Sequence, residues 1–521
     1  MPIDRSSETS HTSLFRKLAE GWDSLHDGVT QAFLQSWRKR ISYAELKEVG
    51  HCVLYFLTDL PEIHLLGTDD VHVLLLAGTS DDAEILKAWK RKVGAPRRLL
   101  LSLVLSEQSL PVAREIFAGE RALVLSLSEA RYLLESSEPG QEFKRMLRAR
   151  LPIRSLIPYN YLRPAYGQLF FGRQQELGRL LHEDDVSFAI AGPSRIGKTS
   201  LIHEYQRILK RRRDPRALRL FEIDFYACSN TTSSQEVARF FAMKIDSSSR
   251  SHRMTCEGLI DFLRYQLHER GGALELVLDE VDEVCAGAAF DVIGEAAKQG
   301  LCRLIVCGRG RLFKMLLSKD SPLACRLELL RPGPLEDEEA KALLFLPLRD
   351  LGIEVNRPDE VAAKVFKLTG RLPHLLQFYG KKIAECAAEE PAAPLTLEMI
   401  EALSWDMDTA HYVTSLLRVL DTPGLRLLAL ALLKENPPEI TVATARAVVS
   451  RWGMQLSHTQ MTDLLNELVI NSVLSWKRGV FSISINALPT YAARLGYLDD
   501  GLTEAIAQFA AGRDQHPMPM R

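Results

Sequence analysis

The chain has 521 residues, enough for roughly three or four domains of ~100–200 residues each. Its 65 lysines and arginines nearly balance 67 aspartates and glutamates, which excludes an overall basic field for nucleic acid and the acidic excess of a disordered chain. The polar opening "MPIDRSSETSHTSLF" is not a secretory signal, the most apolar helical run ("LRLLALALL", 425–433) is far short of the ~20 residues that span a bilayer, and the eight scattered cysteines hold no C-x-x-C pair, so neither membrane nor zinc nor disulfide framework is expected and buried free thiols in a cytoplasmic setting are.

Residues 1–45 read as mostly helical after a polar start. From 46 to 150 the β-rich runs "CVLYFL" (52–57), "VHVLLL" (71–76), "LLLSLVL" (99–105) and "ALVLSL" (122–127) alternate with the helical runs "DDAEILKAWKRK" (81–92) and "PVAREIFAG" (111–119). That alternation predicts a small α/β domain with a largely parallel sheet. "AELK" (44–47) has the E-x-K spacing that nucleases use, but it falls in a helical stretch with no paired acid on a strand before it. With no glycine-rich fingerprint and no nucleophile triad either, sensing or effector docking is the expected role of this domain. "LIPYNYLRPAYGQ" (156–168), with two prolines and a glycine, reads as an extended linker within 151–168.

The next region, 169–330, holds the strongest motif. The strand-like "VSFAIA" (186–191) feeds Gly192-Pro193-Ser194-Arg195-Ile196-Gly197-Lys198-Thr199, followed by Ser200 and by Leu201, Ile202, Tyr205, Ile208 and Leu209 at helical spacing. This is the phosphate loop G-x-x-x-x-G-K-[ST]. Its glycines let main-chain N–H groups curl around phosphates, Lys198 reaches the β- and γ-phosphates, Thr199 offers a hydroxyl to Mg²⁺, and the helix N-terminus favours the anion. Chance supplies such a match in roughly 1% of chains this long, and rarely between a strand and a helix. Some eighty residues on, "ALELVLDEVDEV" (273–284) is an apolar strand ending in Asp279-Glu280, the form of a Walker B element. Asp279 is placed to hold Mg²⁺ and Glu280 to polarise an attacking water. The bland alternative is a solvated acidic turn of Asp279, Glu280, Asp282 and Glu283. "CRLIVCGRGRLF" (302–313) is a further buried strand, after which Arg309 or Arg311 is a candidate γ-phosphate sensor.

At this point the chain resembles STAND-class signal-transduction ATPases and archaeal-type ATPases. "FFGRQQELGRLL" (170–181) is similar to their F-x-G-R-x-x-E-L opening motif, and "TGRLPHLLQF" (369–378) to the TGGxPxLLQ segment of their helical lid. The resemblance spans roughly 160–490. It implies ATP as ligand, Phe171, Gly172 and Arg173 beside the base, Pro373 closing over adenine, and Arg309 approaching the γ-phosphate. Two positions depart from the pattern: Arg371 replaces the second lid glycine, which makes it a possible lid sensor, and Cys307 or Gly308 stands at the usual Thr/Ser sensor position.

The lid is expected over 331–405 and a winged helix over 406–500, from "DTPGLRLLALALL" (421–433), "TVATARAVVSRWG" (441–453) and "SHTQMTDLLNELVINSVLSWKRGVFSISI" (457–485), with 501–521 as a tail ending in the disordered "GRDQHPMPMR". The third helix (458–468) has no lysine or arginine, so a protein-facing role is favoured over DNA, for which Lys477, Arg478, Arg446 and Arg451 are the candidates. "KRRRDPR" (210–216) reads as a solvated helix end, with a nucleic-acid or acidic-partner patch as the alternative. The expectation is an α/β chain: a P-loop NTPase sheet with helical lid and winged helix, preceded by a small α/β domain. It would act as a slow, Mg²⁺-dependent regulatory ATPase binding ATP and ADP, with a protein partner or nucleotide-gated homo-oligomer. An ATP-dependent DNA-binding protein and a non-hydrolysing scaffold are the alternatives.

Overall fold

The computed structural model describes strands at 44–49, 52–57, 71–76 and 99–104, residue 87, and residues 109–515 apart from 119–120, 127, 130–131, 134–135, 226–232, 247–253, 284–287, 318–322, 324–325, 390–393 and 421. The predicted helix at 81–92, Lys87 apart, and residues 1–43 lie outside these.

Five strands form the N-terminal sheet: β1 (Ala44–Val49), β2 (Cys52–Leu57), β3 (Val71–Leu76), β4 (Leu99–Val104) and β5 (Ala122–Ser126), in that spatial order. β1, β2 and β3 pair antiparallel, and only β3, β4 and β5 are parallel, so the sheet is mixed rather than largely parallel. "AELK" lies on β1, not on a helix, with Glu45 opposite Phe56 and Lys47 opposite Leu54. The helix preference of Ala, Glu, Leu and Lys is a few tenths of a kcal/mol per residue and yields to pairing with an apolar strand across a two-residue connection. The inner residues of β5, Leu123 and Leu125, join helix Pro139–Arg150 and the helices between Asp337 and Ser404 in one apolar core. A largely buried Lys144–Asp350 ion pair at 3.0 Å ties that helix to helix Asp337–Asp350.

The second sheet comprises β6 (Phe188–Ala191), β7 (Leu220–Asp224), β8 (Leu274–Asp279), β9 (Cys302–Gly308) and β10 (Glu328–Leu330). All neighbours are parallel, in the order β10-β6-β9-β8-β7. Helices cover both faces, so β6, β8 and β9 are buried along their whole length and read as unbroken apolar runs. The exception is a polar hub. Buried Arg303 on β9 donates to Glu275 Oε1 on β8 and Tyr205 Oη, each at 3.0 Å, and to the carbonyls of Val186 and Leu180 at 2.8 and 2.9 Å. This hub stitches two strands to the helix that follows the phosphate loop. That helix, Lys198–Arg212, ends in Lys210, Arg211 and Arg212, cations that complement its C-terminal dipole.

Four helices, Asp337–Asp350, Pro358–Thr369, Pro373–Glu389 and Leu397–Ser404, follow β10. Helices Pro423–Glu435, Val442–Ser450 and His458–Ile470 then lead into an antiparallel hairpin of β11 (Leu474–Lys477) and β12 (Val480–Ile483). Arg478 and Gly479, both at positive φ, make its two-residue turn. The expected tail is corrected in part: Asp500–Gln515 is a helix packed on Pro423–Glu435, with Leu502 and Ala505 buried and Ile506 and Phe509 against the same core. Those four positions form one helical stripe, whereas the polar composition of "GRDQ" masks it. Residues 516–521 lie outside the described set.

Candidate active site

The phosphate loop leaves β6 and turns into its helix through two left-handed residues, Arg195 (φ 64°) and Gly197 (φ 100°). The second suits glycine, and the first is a strained position for arginine. Gly192 N–H donates to Gly308 O at 3.2 Å, anchoring the loop to β9. Lys198 is buried, and its Nζ donates to the carbonyls of Gly192 and Pro193 at 3.0 and 2.9 Å. Burial lowers its pKa, opposed by the carboxylates of Glu280, Asp279 and Asp282 around it.

The loop and the carboxylate strand meet directly. Thr199 Oγ1 donates to Asp279 Oδ2 at 2.9 Å, although β9 separates β6 from β8. Asp279 is buried at the end of β8. Burial raises its pKa, and its bonds to Thr199 and the Glu280 N–H pull the other way. Glu280 sits at φ 52°, a left-handed turn that swings its side chain off the strand and into the cleft lined by 194–200. Its pKa is also raised, first by burial, with Lys198 opposing. Asp279, Glu280 and Asp282 therefore diverge rather than form a solvated turn. Asp282 is buried and accepts from the N–H groups of Arg309 and Leu312, capping helix Gly310–Leu317.

The cleft encloses about 270 Å³ between the loop, helix Pro373–Glu389 and residues 160–165. Of the sequence-predicted residues, Ser194, Arg195, Ile196, Gly197, Lys198, Thr199, Ser200, Phe171, Arg173, Glu280 and Pro373 line it. Gly192 and Pro193, the first two residues of the loop, are not part of that lining. Gly172 faces the Glu339 carboxylate instead, and a side chain there would collide with it. Arg173 lines the wall but commits its guanidinium to the carbonyls of Gly333 and Ile196. Arg309 reaches Glu280, Nε to Oε2 at 3.8 Å, rather than the cleft lining, and Arg371 pairs with Asp337. The Arg311 side chain lies outside the described residues. Neither residue at the departing sensor position offers the cleft a polar group. Cys307 is fully buried, and a Cβ on Gly308 would overlap Asp282 and Leu312.

Three features escaped the sequence reading. The expected linker is a docked strap: Tyr159 Oη donates to Leu344 O, Asn160 N–H to Gln377 Oε1 at 2.9 Å, Ala165 N–H to Ser200 Oγ at 3.0 Å and Gly167 N–H to Glu204 Oε2 at 2.7 Å. Its three tyrosines were the available signal. Ile196 of the loop is buried in the C-terminal core with Leu372, Leu375 and Leu425, and Arg195 lies 5.4 Å over the Tyr412 ring. His374, set between Pro373 and two leucines in the motif at 369–378, also lines the cleft.

Thr199 and Asp279 provide a hydroxyl and a carboxylate, the sparse oxygen set from which Mg²⁺ is held together with phosphates and waters. Among the described residues no group of three or more His, Cys, Asp or Glu side chains forms an all-protein metal site.

A parallel sheet of this order, with a glycine-rich loop at one strand end bonded to an acid on another, defines an AAA-like P-loop NTPase fold. Residues 182–316 match the family model for the AAA domain. No curated protein sequence matches the chain. Among solved structures, the Walker-type ATPase of Pyrococcus abyssi is 15% identical, with a TM-score of 0.45 over 64% of this chain and 99% of that one. The Aeropyrum pernix ORC2 protein is 15% identical at a TM-score of 0.42, over 64% and 92%. The Thermotoga maritima RuvB branch migration motor is 15% identical at 0.35, over 65% and 99%.

Proposed function

We propose that the chain is an ATP-binding, Mg²⁺-dependent ATPase that serves as a nucleotide-driven regulatory switch. The observation that carries the ATPase reading is the Thr199–Asp279 bond beside a buried Lys198, with Glu280 turned into the same cleft. Ser194 to Ser200 would cradle the triphosphate, with Phe171, Arg173 and Pro373 around the nucleoside. Thr199 and Asp279 would hold Mg²⁺, which when bound neutralises charge on the phosphate oxygens. A water beside Glu280 attacks the γ-phosphorus as the bond to the bridging oxygen breaks. The water proton passes to the Glu280 carboxylate, and ADP leaves with the bond's electron pair. A raised pKa makes Glu280 a better proton acceptor. Glu280→Gln is expected to keep ATP bound while phosphate release stops; an unchanged release rate removes Glu280 from this role.

The switch reading rests on where the loop is seated. Ile196 and Arg195 are built into the C-terminal block, so a loop that reshapes around a polyphosphate loads that block directly. A switch gains from slow turnover, and an arginine supplied in trans would couple hydrolysis to assembly. The three helices and hairpin of that block read as a winged helix that faces protein. Its third helix, His458–Ile470, has no lysine or arginine, Arg446 is engaged with Leu456 O and Arg451 with Glu435. DNA retains only the exposed hairpin tip, Trp476, Lys477 and Arg478. No helix among the described residues is long and apolar enough to cross a membrane, and the described free thiols, Cys302 and Cys307 foremost, suit a cytoplasmic protein. Sizing the protein with ADP and then with a non-hydrolysable ATP analogue is expected to show a shift in mass; identical profiles refute nucleotide-gated assembly.

A further inference from the structure

His374 is the second residue of lid helix Pro373–Glu389, 6% exposed, and it lines the cleft together with the phosphate loop. Neither Nδ1 nor Nε2 makes a well-formed hydrogen bond, and the one polar main-chain neighbour that acts on the ring is that of Arg195. A buried imidazole with both nitrogens idle gives up its hydration for nothing. Packing alone does not account for it. Its ring meets Tyr412 edge-on at 6.0 Å between centroids, a contact phenylalanine would make without that cost, and the following residues are leucines. A group bound in the cleft is placed to supply the missing partner.

The chemistry of that partner follows from the ring. Burial, aided by the Arg195 guanidinium, pushes the His374 pKa down to about 3, so the imidazole is neutral at physiological pH. A neutral imidazole offers one donor and one acceptor. Polyphosphate oxygens prefer cations and pure donors, which Lys198 and the loop N–H groups supply. A nucleoside presents donors and acceptors together, on the base edge and at the ribose hydroxyls.

We propose that His374 hydrogen-bonds the nucleoside part of the nucleotide held in this cleft, base edge or ribose hydroxyl, and so sets nucleotide selectivity. This rests on the reading of the cleft as a nucleotide site. The test titrates the full chain with ADP, GDP, 2′-deoxy-ADP and inorganic tripolyphosphate, comparing wild type with His374→Phe and His374→Gln. His374→Phe keeps the ring on Tyr412 without polar atoms, and ADP affinity is expected to fall about tenfold or more while tripolyphosphate affinity holds. His374→Gln, which keeps a donor and an acceptor, recovers most of the loss. A base contact erases the preference for ADP over GDP; a ribose contact erases the preference for ADP over 2′-deoxy-ADP. Unchanged ADP affinity in His374→Phe, or an equal loss for tripolyphosphate, overturns the proposal while leaving the cleft a nucleotide site. Wild-type protein that binds no ADP overturns the reading of the cleft and the proposal with it.

Discussion

Replacing Lys198 by alanine removes a buried cation from the phosphate loop. Its ammonium now rests on the carbonyls of Gly192 and Pro193 at 3.0 and 2.9 Å, and a polyphosphate would draw those two donors onto its oxygens. Each charge-assisted bond lost is worth about 1.5–3 kcal/mol. Two of them amount to about 3–6 kcal/mol, and at about 1.4 kcal/mol per tenfold the Kd for ATP should rise by about 10²–10⁴. The two loop carbonyls also lose a donor, so some stability is expected to go, and a melting curve separates that loss from the binding loss. The assay is a titration with a fluorescent ATP analogue in Mg²⁺. A variant that still binds within about threefold of wild type would mean that the loop does not grip the triphosphate, and the 10²–10⁴ estimate above would have no basis.

Thr199→Val deletes the hydroxyl between loop and Asp279; the gain in nucleotide affinity on adding Mg²⁺ should shrink while affinity in EDTA is kept, as paired calorimetric titrations would show. Because the Glu280 pKa is raised, its carboxylate protonates as pH falls through a value above the ordinary ~4.3, and hydrolysis should fade there. A pH–rate profile whose acid limb stays at or below ~4.3 argues against Glu280 as the base. Arg303→Leu strands the Glu275 carboxylate, the Tyr205 hydroxyl and two carbonyls inside the sheet, and should cost about 3–5 kcal/mol by denaturant unfolding. A loss under about 1 kcal/mol would show that the hub is open to water.

The parts of the site legible in the sequence are those fixed by local rules. The turn at 192–199 has glycine at its left-handed position 197, and the acids after β8 needed only an apolar run that stops at Asp279. Their pairing, Thr199 to Asp279, crosses eighty residues and a strand that sequence spacing does not order. Asp282 was indistinguishable from its acidic neighbours because capping depends on where helix Gly310–Leu317 begins. "AELK" misled because its strand character comes from β2, and the helix at 500–515 because its apolar stripe is spaced among polar residues. His374, Ile196 and Arg303 matter through what surrounds them, and local composition says nothing of that.

The strap at 157–168 sets a leash on the cleft. Asn160 is fastened to the lid and Ala165 to the helix behind the phosphate loop, with five residue steps between them. Fully drawn out, that stretch reaches about 17 Å at ~3.4 Å per residue. Any wider gape must unbuckle one end, so the farthest the jaws can part depends on a belt threaded through from the N-terminal half of the chain.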